Sequence, residues 1–264
     1  MIFIRSLLFN IAFYLAIIIQ MVVQTPFFFL APRKKAWFAP KNWARFNLWL
    51  QKWIVGCDHT IEGLDNIPDK PCIIAAKHQS FWDVYAFLPH IPDPIYILKR
   101  ELMWIPFFGW YVAKMKMIPV HRGSRAVALN SITSGARKAI AEDNRQIMIY
   151  PEGTRRSPGD EPAYKYGVAH LYYELGIPVI PIAHVAGLYW PRRKFMRYPG
   201  VIKARVLPAI QPGLGKSEFL QELSRVTEAA CDAFLIDAAT GPNPPPLPQT
   251  ARQRLKQLGV KLAE

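Results

Sequence analysis

The sequence predicts an α/β fold, a largely parallel sheet flanked by helices, with an N-terminal membrane-associated helical motif. Three observations carry this expectation. From about residue 58 onward, short apolar runs alternate with longer helix-patterned stretches, and strands alternating with helices build parallel sheets. Between Ser6 and Pro32 no residue is charged, and that stretch exceeds the roughly 20 apolar residues a bilayer-crossing helix needs. With 51% hydrophobic and 20% charged residues in 264, the chain is neither disordered nor a polyelectrolyte tail. It has the length of one ordinary domain, or of one domain with a short appendage.

The first element is the uncharged segment. One base, Arg5, precedes it, and Arg33, Lys34 and Lys35 come directly after it. By the positive-inside rule, the chain beyond this segment is cytoplasmic. A cleaved signal peptide and a buried core helix are the alternatives. The segment is longer than a signal core and lacks a clear small-x-small cleavage site. Pro26 is expected to break the helix before a comfortable crossing, so a true span and a half-inserted hairpin both stand. The next element reads PKNWARFNLWLQKWIVG, with Trp43, Phe46, Trp49, Leu50 and Trp53 at helical spacing among bases. Tryptophan beside basic residues suits the headgroup level of a membrane. An amphipathic helix packed on a core is the alternative. The chain thus divides into membrane-binding helices (1–54), an α/β domain (55–240) and a Pro-rich linker with a short basic tail (241–264).

Within the α/β domain, strands are expected at Cys72–Ala76, Pro94–Leu98, Met117–Val120, Gln146–Tyr150, Pro178–Ala183 and Val201–Leu207. Helices are expected at Trp82–Leu88, Arg100–Val112, Ser124–Glu142, Lys165–Leu175 and about Lys216–Ala239. The run GPNPPPLP then excludes both helix and central strand and precedes a short tail helix.

The net charge of +14 is concentrated. Residues 1–57 and 175–217 each hold seven bases and no acid, so the remainder balances. Such a field favours an anionic partner: nucleic acid, anionic lipid or an acidic carrier protein. The uncharged N-terminus favours lipid. Three widely spaced cysteines exclude a fully paired disulfide framework and offer no clustered zinc pattern, which suits a reducing, cytosolic address.

Several motifs carry chemistry. His78 directly follows an apolar run, with Asp83 five positions later. Ligands of open α/β sheets bind outside the carboxyl ends of strands. On one continuous helix a five-residue step turns about 500°, so the pair would diverge; a loop followed by a helix lets them meet. Aspartate would then hold one ring nitrogen while the other takes a proton from a nucleophile, for which a substrate hydroxyl suffices. A structural histidine at a strand end is the alternative. Tyr150–Arg156 reads YPEGTRR, with Gly153 permitting close backbone approach and Thr154, Arg155 and Arg156 offering donors to an anion. A solvated turn would also fit. Met117–Arg122 is a further strand ending on bases, and Gly176–Ala183 carries no titrating group. Lys99 and Arg100 precede the aromatic-rich run Ile105–Trp110.

Taken in this order, the blocks resemble the glycerolipid acyltransferase family, specifically the bacterial 1-acyl-sn-glycerol-3-phosphate acyltransferases. The resemblance covers roughly residues 55–215. His78 and Asp83 match the H-x4-D box, Lys99–Trp110 with Arg122 the second block, Glu152–Arg155 the E-G-T-R box, and Val179–Ile182 the fourth. The family often has Asn before the histidine, where this chain has Lys77. The resemblance implies that His78 is the general base, that Asp83 is its partner, and that Lys99, Arg122, Glu152, Gly153, Thr154 and Arg155 serve the acceptor's glycerol phosphate. It implies phosphatidic acid as product and an acyl thioester on coenzyme A or acyl carrier protein as co-substrate. No bound cofactor, metal or nucleic acid is implied. Lysophosphatidic acid and anionic membrane lipid are the expected partners, and the cytoplasmic face of the inner membrane is the expected location. An acyltransferase for another lysolipid, such as lyso-ornithine lipid, and a non-catalytic basic membrane-surface protein are the alternatives.

Overall fold

The computed structural model describes residues 1–120 and 125–261. Its centre is one seven-stranded sheet of order β1-β7-β6-β2-β5-β3-β4. The strands are β1 (Cys57–Glu62), β2 (Ile73–Ala76), β3 (Pro94–Lys99), β4 (Ile118–Val120), β5 (Gln146–Ile149), β6 (Val179–His184) and β7 (Gly200–Val206). All neighbours run parallel except β6 and β7. Around them lie α1 (Ile2–Leu30), α2 (Arg33–Ala36), α3 (Phe38–Leu50), α4 (Trp82–Tyr85), α5 (Phe108–Lys114) and α6 (Arg125–Asp143). The set is completed by α7 (Tyr166–Leu175), α8 (Ala186–Tyr189), α9 (Lys216–Thr240) and α10 (Gln249–Gln257).

β2 is central, and all four of its residues are buried, as a strand covered on both faces requires. Side chains alternate across a strand. Accordingly Ile73 and Ala75 pack with Ile95, Ile147 and Val179 under α6, α7 and the start of α9. Ile74 and Ala76 join the cluster that holds Phe9, Phe13, Ala44 and Leu48 of α1 and α3. The six expected strands are all present within one or two residues. β1 is an additional strand at the sheet edge, where only Cys57 is fully buried.

Three expectations about helices are corrected. Pro26 does not end α1, which runs on to Leu30. Just before the proline, the Thr25 hydroxyl donates to the Met21 carbonyl, and beyond it the last turn is held by tertiary contacts of Phe28 and Phe29 with Tyr111 and Lys114. Arg100–Val112 is not one helix. A 3₁₀ segment, Arg100–Trp104, ends at Ile105, which Pro106 holds extended, and Phe107 turns at φ +62° before α5 begins. Trp82–Leu88 shortens to the single turn of α4, because Pro89 disfavours helix at Leu88 and a 3₁₀ turn takes its place.

α1 is two-faced. Ser6, Phe9, Phe13, Ala16 and Phe28 are buried against the domain, whereas Ile11, Leu15, Ile18, Val22, Val23 and Phe27 are exposed. Both ends of this helix are fastened to the same domain. Near its start, the Arg197 N–H donates to Ser6 Oγ at 2.9 Å and Asn10 donates to the Phe195 carbonyl at 3.2 Å. Near its end, Phe28 stacks on Tyr111 at 4.0 Å, and Lys114 Nζ donates to the Phe29 and Ala31 carbonyls. At 1.5 Å per residue α1 is about 43 Å long, and it lies along the domain. Beside it, Phe46, Trp49 and Trp53 point outward and Leu50 inward. The C-terminal helix also docks: Ala251 and Leu255 are fully buried, and Arg254 pairs with Asp232 on α9.

Candidate active site

β2, β5, β3 and β4 are adjacent and parallel, so their carboxyl ends open on one edge. His78 follows β2, the Glu152–Arg155 turn follows β5, and Lys99 ends β3. Arg122 follows β4 in sequence and lies outside the described residues, as does His121.

Asp83 is in the first turn of α4, and its side chain turns back to meet His78. Its Oδ1 lies 2.9 Å from His78 Nδ1. Its Oδ2 accepts from the Gln79 and Ser80 backbone N–H groups, each at 2.8 Å. The carboxylate is fully buried and serves at once as fastener of the loop before α4 and as imidazole partner. Against the carboxylate, Nδ1 carries the ring proton, which leaves the Nε2 lone pair free. Among the described residues no group bonds Nε2. The ring is 16% exposed, enough for a substrate to reach it. Tyr150 stacks on the imidazole at 4.2 Å and donates its hydroxyl to the Asp83 carbonyl at 3.1 Å. Behind the pair, His184 Nε2 donates to the Lys77 carbonyl and Nδ1 accepts from the Ala186 N–H. Complete burial holds the His184 ring below the ordinary histidine value, and hence neutral.

Glu152 is placed differently from the expectation that it lines the phosphate. It is buried, and both of its oxygens are engaged within the protein: Oε2 accepts the His78 backbone N–H at 3.0 Å and Oε1 accepts from Lys77 Nζ at 2.8 Å. A carboxylate would in any case repel a phosphate. The turn beyond it faces outward. Gly153 sits at φ +64°, and a Cβ there would meet Lys165 Nζ at 3.1 Å, so glycine lets Lys165 lie across the turn. Thr154 is exposed and Arg155 half-buried. Among the described residues no carboxylate pairs with Lys99, Arg155 or Lys165. Arg192 donates to the Arg155 carbonyl at 2.7 Å, which adds a base from another loop. Sequence reasoning missed Lys165, Tyr150 and His184. Lys165 lies ten positions beyond Arg155 behind an irregular loop, and no local spacing marks it.

A cavity of about 420 Å³ lies behind Lys77, bordered by Arg156, Glu228, Asp232 and Arg254. His78 and Asp83 do not line it.

A histidine oriented by a buried carboxylate, at the same sheet edge as Lys99, Arg155 and Lys165, which have no carboxylate partner among the described residues, defines a base-assisted transferase for an anionic acceptor. The comparisons with known proteins agree with this class. A family model described as Acyltransferase matches residues 58–185. The 1-acyl-sn-glycerol-3-phosphate acyltransferase of Pseudomonas aeruginosa is 37% identical over 207 residues, covering 76% of this chain and 80% of that protein. The human 1-acyl-sn-glycerol-3-phosphate acyltransferase beta is 29% identical over 146 residues, 53% of this chain and 51% of that protein. The crystal structure of the Thermotoga maritima 1-acyl-sn-glycerophosphate acyltransferase shares the fold, with a TM-score of 0.74 and 22% identity over 88% of this chain and 97% of that one. The chain belongs to the acyltransferase family.

Proposed function

We propose that this protein transfers an acyl chain from a thioester to the sn-2 hydroxyl of 1-acyl-glycerol-3-phosphate, giving phosphatidic acid. The observation that carries the reading is the His78 ring, held at Nδ1 by a buried carboxylate with Nε2 open. The headgroup phosphate docks on Arg155 and Lys165, joined by Lys99 and Arg122, which brings the free hydroxyl beside His78. Nε2 takes the hydroxyl proton as the oxygen attacks the thioester carbonyl. The new C–O bond forms, the C–S bond breaks, and the departing thiolate receives the proton from His78. Asp83 stabilises the imidazolium in between. General base action of this kind contributes about 10²- to 10⁴-fold in rate. The donor is acyl-coenzyme A or the acyl thioester of acyl carrier protein, and the reading needs no bound cofactor or metal. The Pseudomonas and human relatives, named for this reaction, support it.

The protein works at a membrane surface in this reading. A helix with both ends fastened to one domain lies in the interface with its apolar face in the lipid. The exposed face of α1 and the outward Phe46, Trp49 and Trp53 form that contact, with the surrounding bases on anionic headgroups. We place it on the cytoplasmic face of the inner membrane. The test is product formation by purified protein in mixed micelles given an acyl thioester and a panel of lysolipids. Phosphatidic acid from 1-acyl-glycerol-3-phosphate, well above transfer to the other acceptors, is the expected result. Preference for a lysolipid without a phosphate monoester would overturn the acceptor assignment.

A further inference from the structure

Immediately before the catalytic histidine stands a buried cation with two carboxylates. Lys77 Nζ lies 2.8 Å from Glu152 Oε1 and 2.9 Å from Glu228 Oε1, and its side chain is 4% exposed. Glu228 comes from α9, 151 residues away in sequence. Its Oε1 also accepts from the Tyr164 hydroxyl at 2.7 Å.

We propose that Lys77 and Glu228 are positioning residues for acyl transfer, clamping His78 and the phosphate-facing loop into one unit; the inference rests on the acyltransferase reading above. The loop between Glu152 and Lys165 carries Gly153, Thr154 and Arg155. Glu152 holds its first end and Tyr164 its last. Lys77 joins Glu152 to Glu228, and Glu228 holds Tyr164, so one ammonium ties both ends of the loop to α9. The same Glu152 accepts the His78 backbone N–H, so the base and the phosphate loop are set by a single carboxylate.

The charge count explains why a lysine is needed. A buried carboxylate without a cation is strongly disfavoured, and removing one partner of a buried pair leaves that penalty uncompensated. Here two carboxylates share one ammonium. Burial alone would lower the lysine's affinity for its proton, but Glu228 and Glu152 outweigh it and keep Lys77 above the ordinary lysine value, hence charged. Loss of that charge would set Glu152 and Glu228 against each other, and Glu152 would leave the His78 N–H. The cavity bordering Lys77 and Glu228 gives room for substitution without overpacking.

The experiment uses the purified full-length chain in the micelle assay, with K77M, E228Q and the double variant compared by kcat and by acceptor KM. K77M should lower kcat/KM about 100-fold, the scale of a misplaced catalytic group. E228Q, which keeps the Lys77–Glu152 pair, should cost less than about tenfold. Added to K77M it should restore about tenfold, because one of the two opposed carboxylates is gone; such non-additivity marks a coupled network. A merely space-filling lysine would show no rescue. K77M within about twofold of the parent, or a double variant no better than K77M, overturns the proposal. Circular dichroism melts accompany each variant. If K77M does not fold, E228Q and Y164F decide: both should lower kcat/KM about threefold or more through a loosened loop, and full activity in both overturns the proposal. A parent protein without transferase activity would instead remove the acyltransferase reading on which the proposal rests, an outcome visible before any variant is compared.

Discussion

Asp83 meets His78 with one oxygen, at 2.9 Å, and fastens its own loop with the other through the Gln79 and Ser80 N–H groups. The loop-to-helix turn that separates the two residues in sequence is therefore built by the same side chain that orients the ring. Aspartate to asparagine at this position keeps the size and one oxygen for the Gln79 and Ser80 N–H groups. It also turns an amide N–H toward Nδ1, which favours the wrong tautomer. Asp83→Asn should lower kcat about 10²- to 10⁴-fold with little change in acceptor KM. Steady-state kinetics beside a circular dichroism spectrum check this, and a near-normal kcat would count against the pair.

The cations of the β5 loop carry a separate prediction. Lys165 crosses the turn at Gly153 and, like Arg155, has no carboxylate partner among the described residues. Each is free to bind the acceptor phosphate. Lys165→Ala and Arg155→Ala should each raise the acceptor KM about tenfold, the loss of one charge-assisted contact, and leave the donor KM unchanged. Equal changes in both KM values would show a general disturbance of the loop instead.

α1 should respond oppositely on its two faces. Val22 and Phe27 are exposed at 72% and 63%. Val22→Glu with Phe27→Glu should weaken flotation with anionic vesicles and leave the thermal midpoint within a few degrees. Phe13 is buried among Trp43, Phe81, Tyr85 and Trp190. Phe13→Ala should cost about 3–5 kcal/mol of stability, as core aromatic truncations do. A double glutamate variant that still binds vesicles fully would contradict the membrane role of this face.

His184 links stability to pH. Burial places its folded pKa below the ordinary 6.5, so the unfolded chain binds more protons in that window. Its contribution to stability is complete above about 6.5 and is lost as pH falls toward the lowered folded value. His59 and His90 are shifted the same way by burial. The melting temperature should fall between pH 7 and pH 5, and His184→Gln, whose amide N–H takes the place of the ring Nε2 toward the Lys77 carbonyl, should flatten part of that slope. An unchanged slope would show that the ring is not the proton acceptor.

Much of this arrangement is legible in the chain for physical reasons. The apolar runs at β2, β5 and β6 are continuous because those strands are covered on both faces, and β2 and β5 each end just before a polar motif. β1 escapes because an edge strand buries little: Cys57–Glu62 reads as mixed polar residues. Pro26 misleads because helix termination is a local rule and α1 is held by tertiary contacts at both ends. Phe107 breaks a pattern that is helical by periodicity alone. Above all, the burial of Glu152 cannot be read locally. Its partners are the Lys77 ammonium and the His78 N–H just beyond β2, and Lys77 is shared in turn with Glu228 of α9, so only folding brings these together.

The most direct measurement of the central claim is single-turnover acyl transfer by purified His78→Ala and unmutated protein. Both would be given 1-acyl-glycerol-3-phosphate and an acyl thioester in mixed micelles, after matched melting curves and vesicle binding. Phosphatidic acid should form with the unmutated protein, while the variant, folded and membrane-bound, should be slower by about 10²-fold or more. A variant that transfers the acyl chain at a rate close to that of its parent would contradict the assignment of His78 as the base.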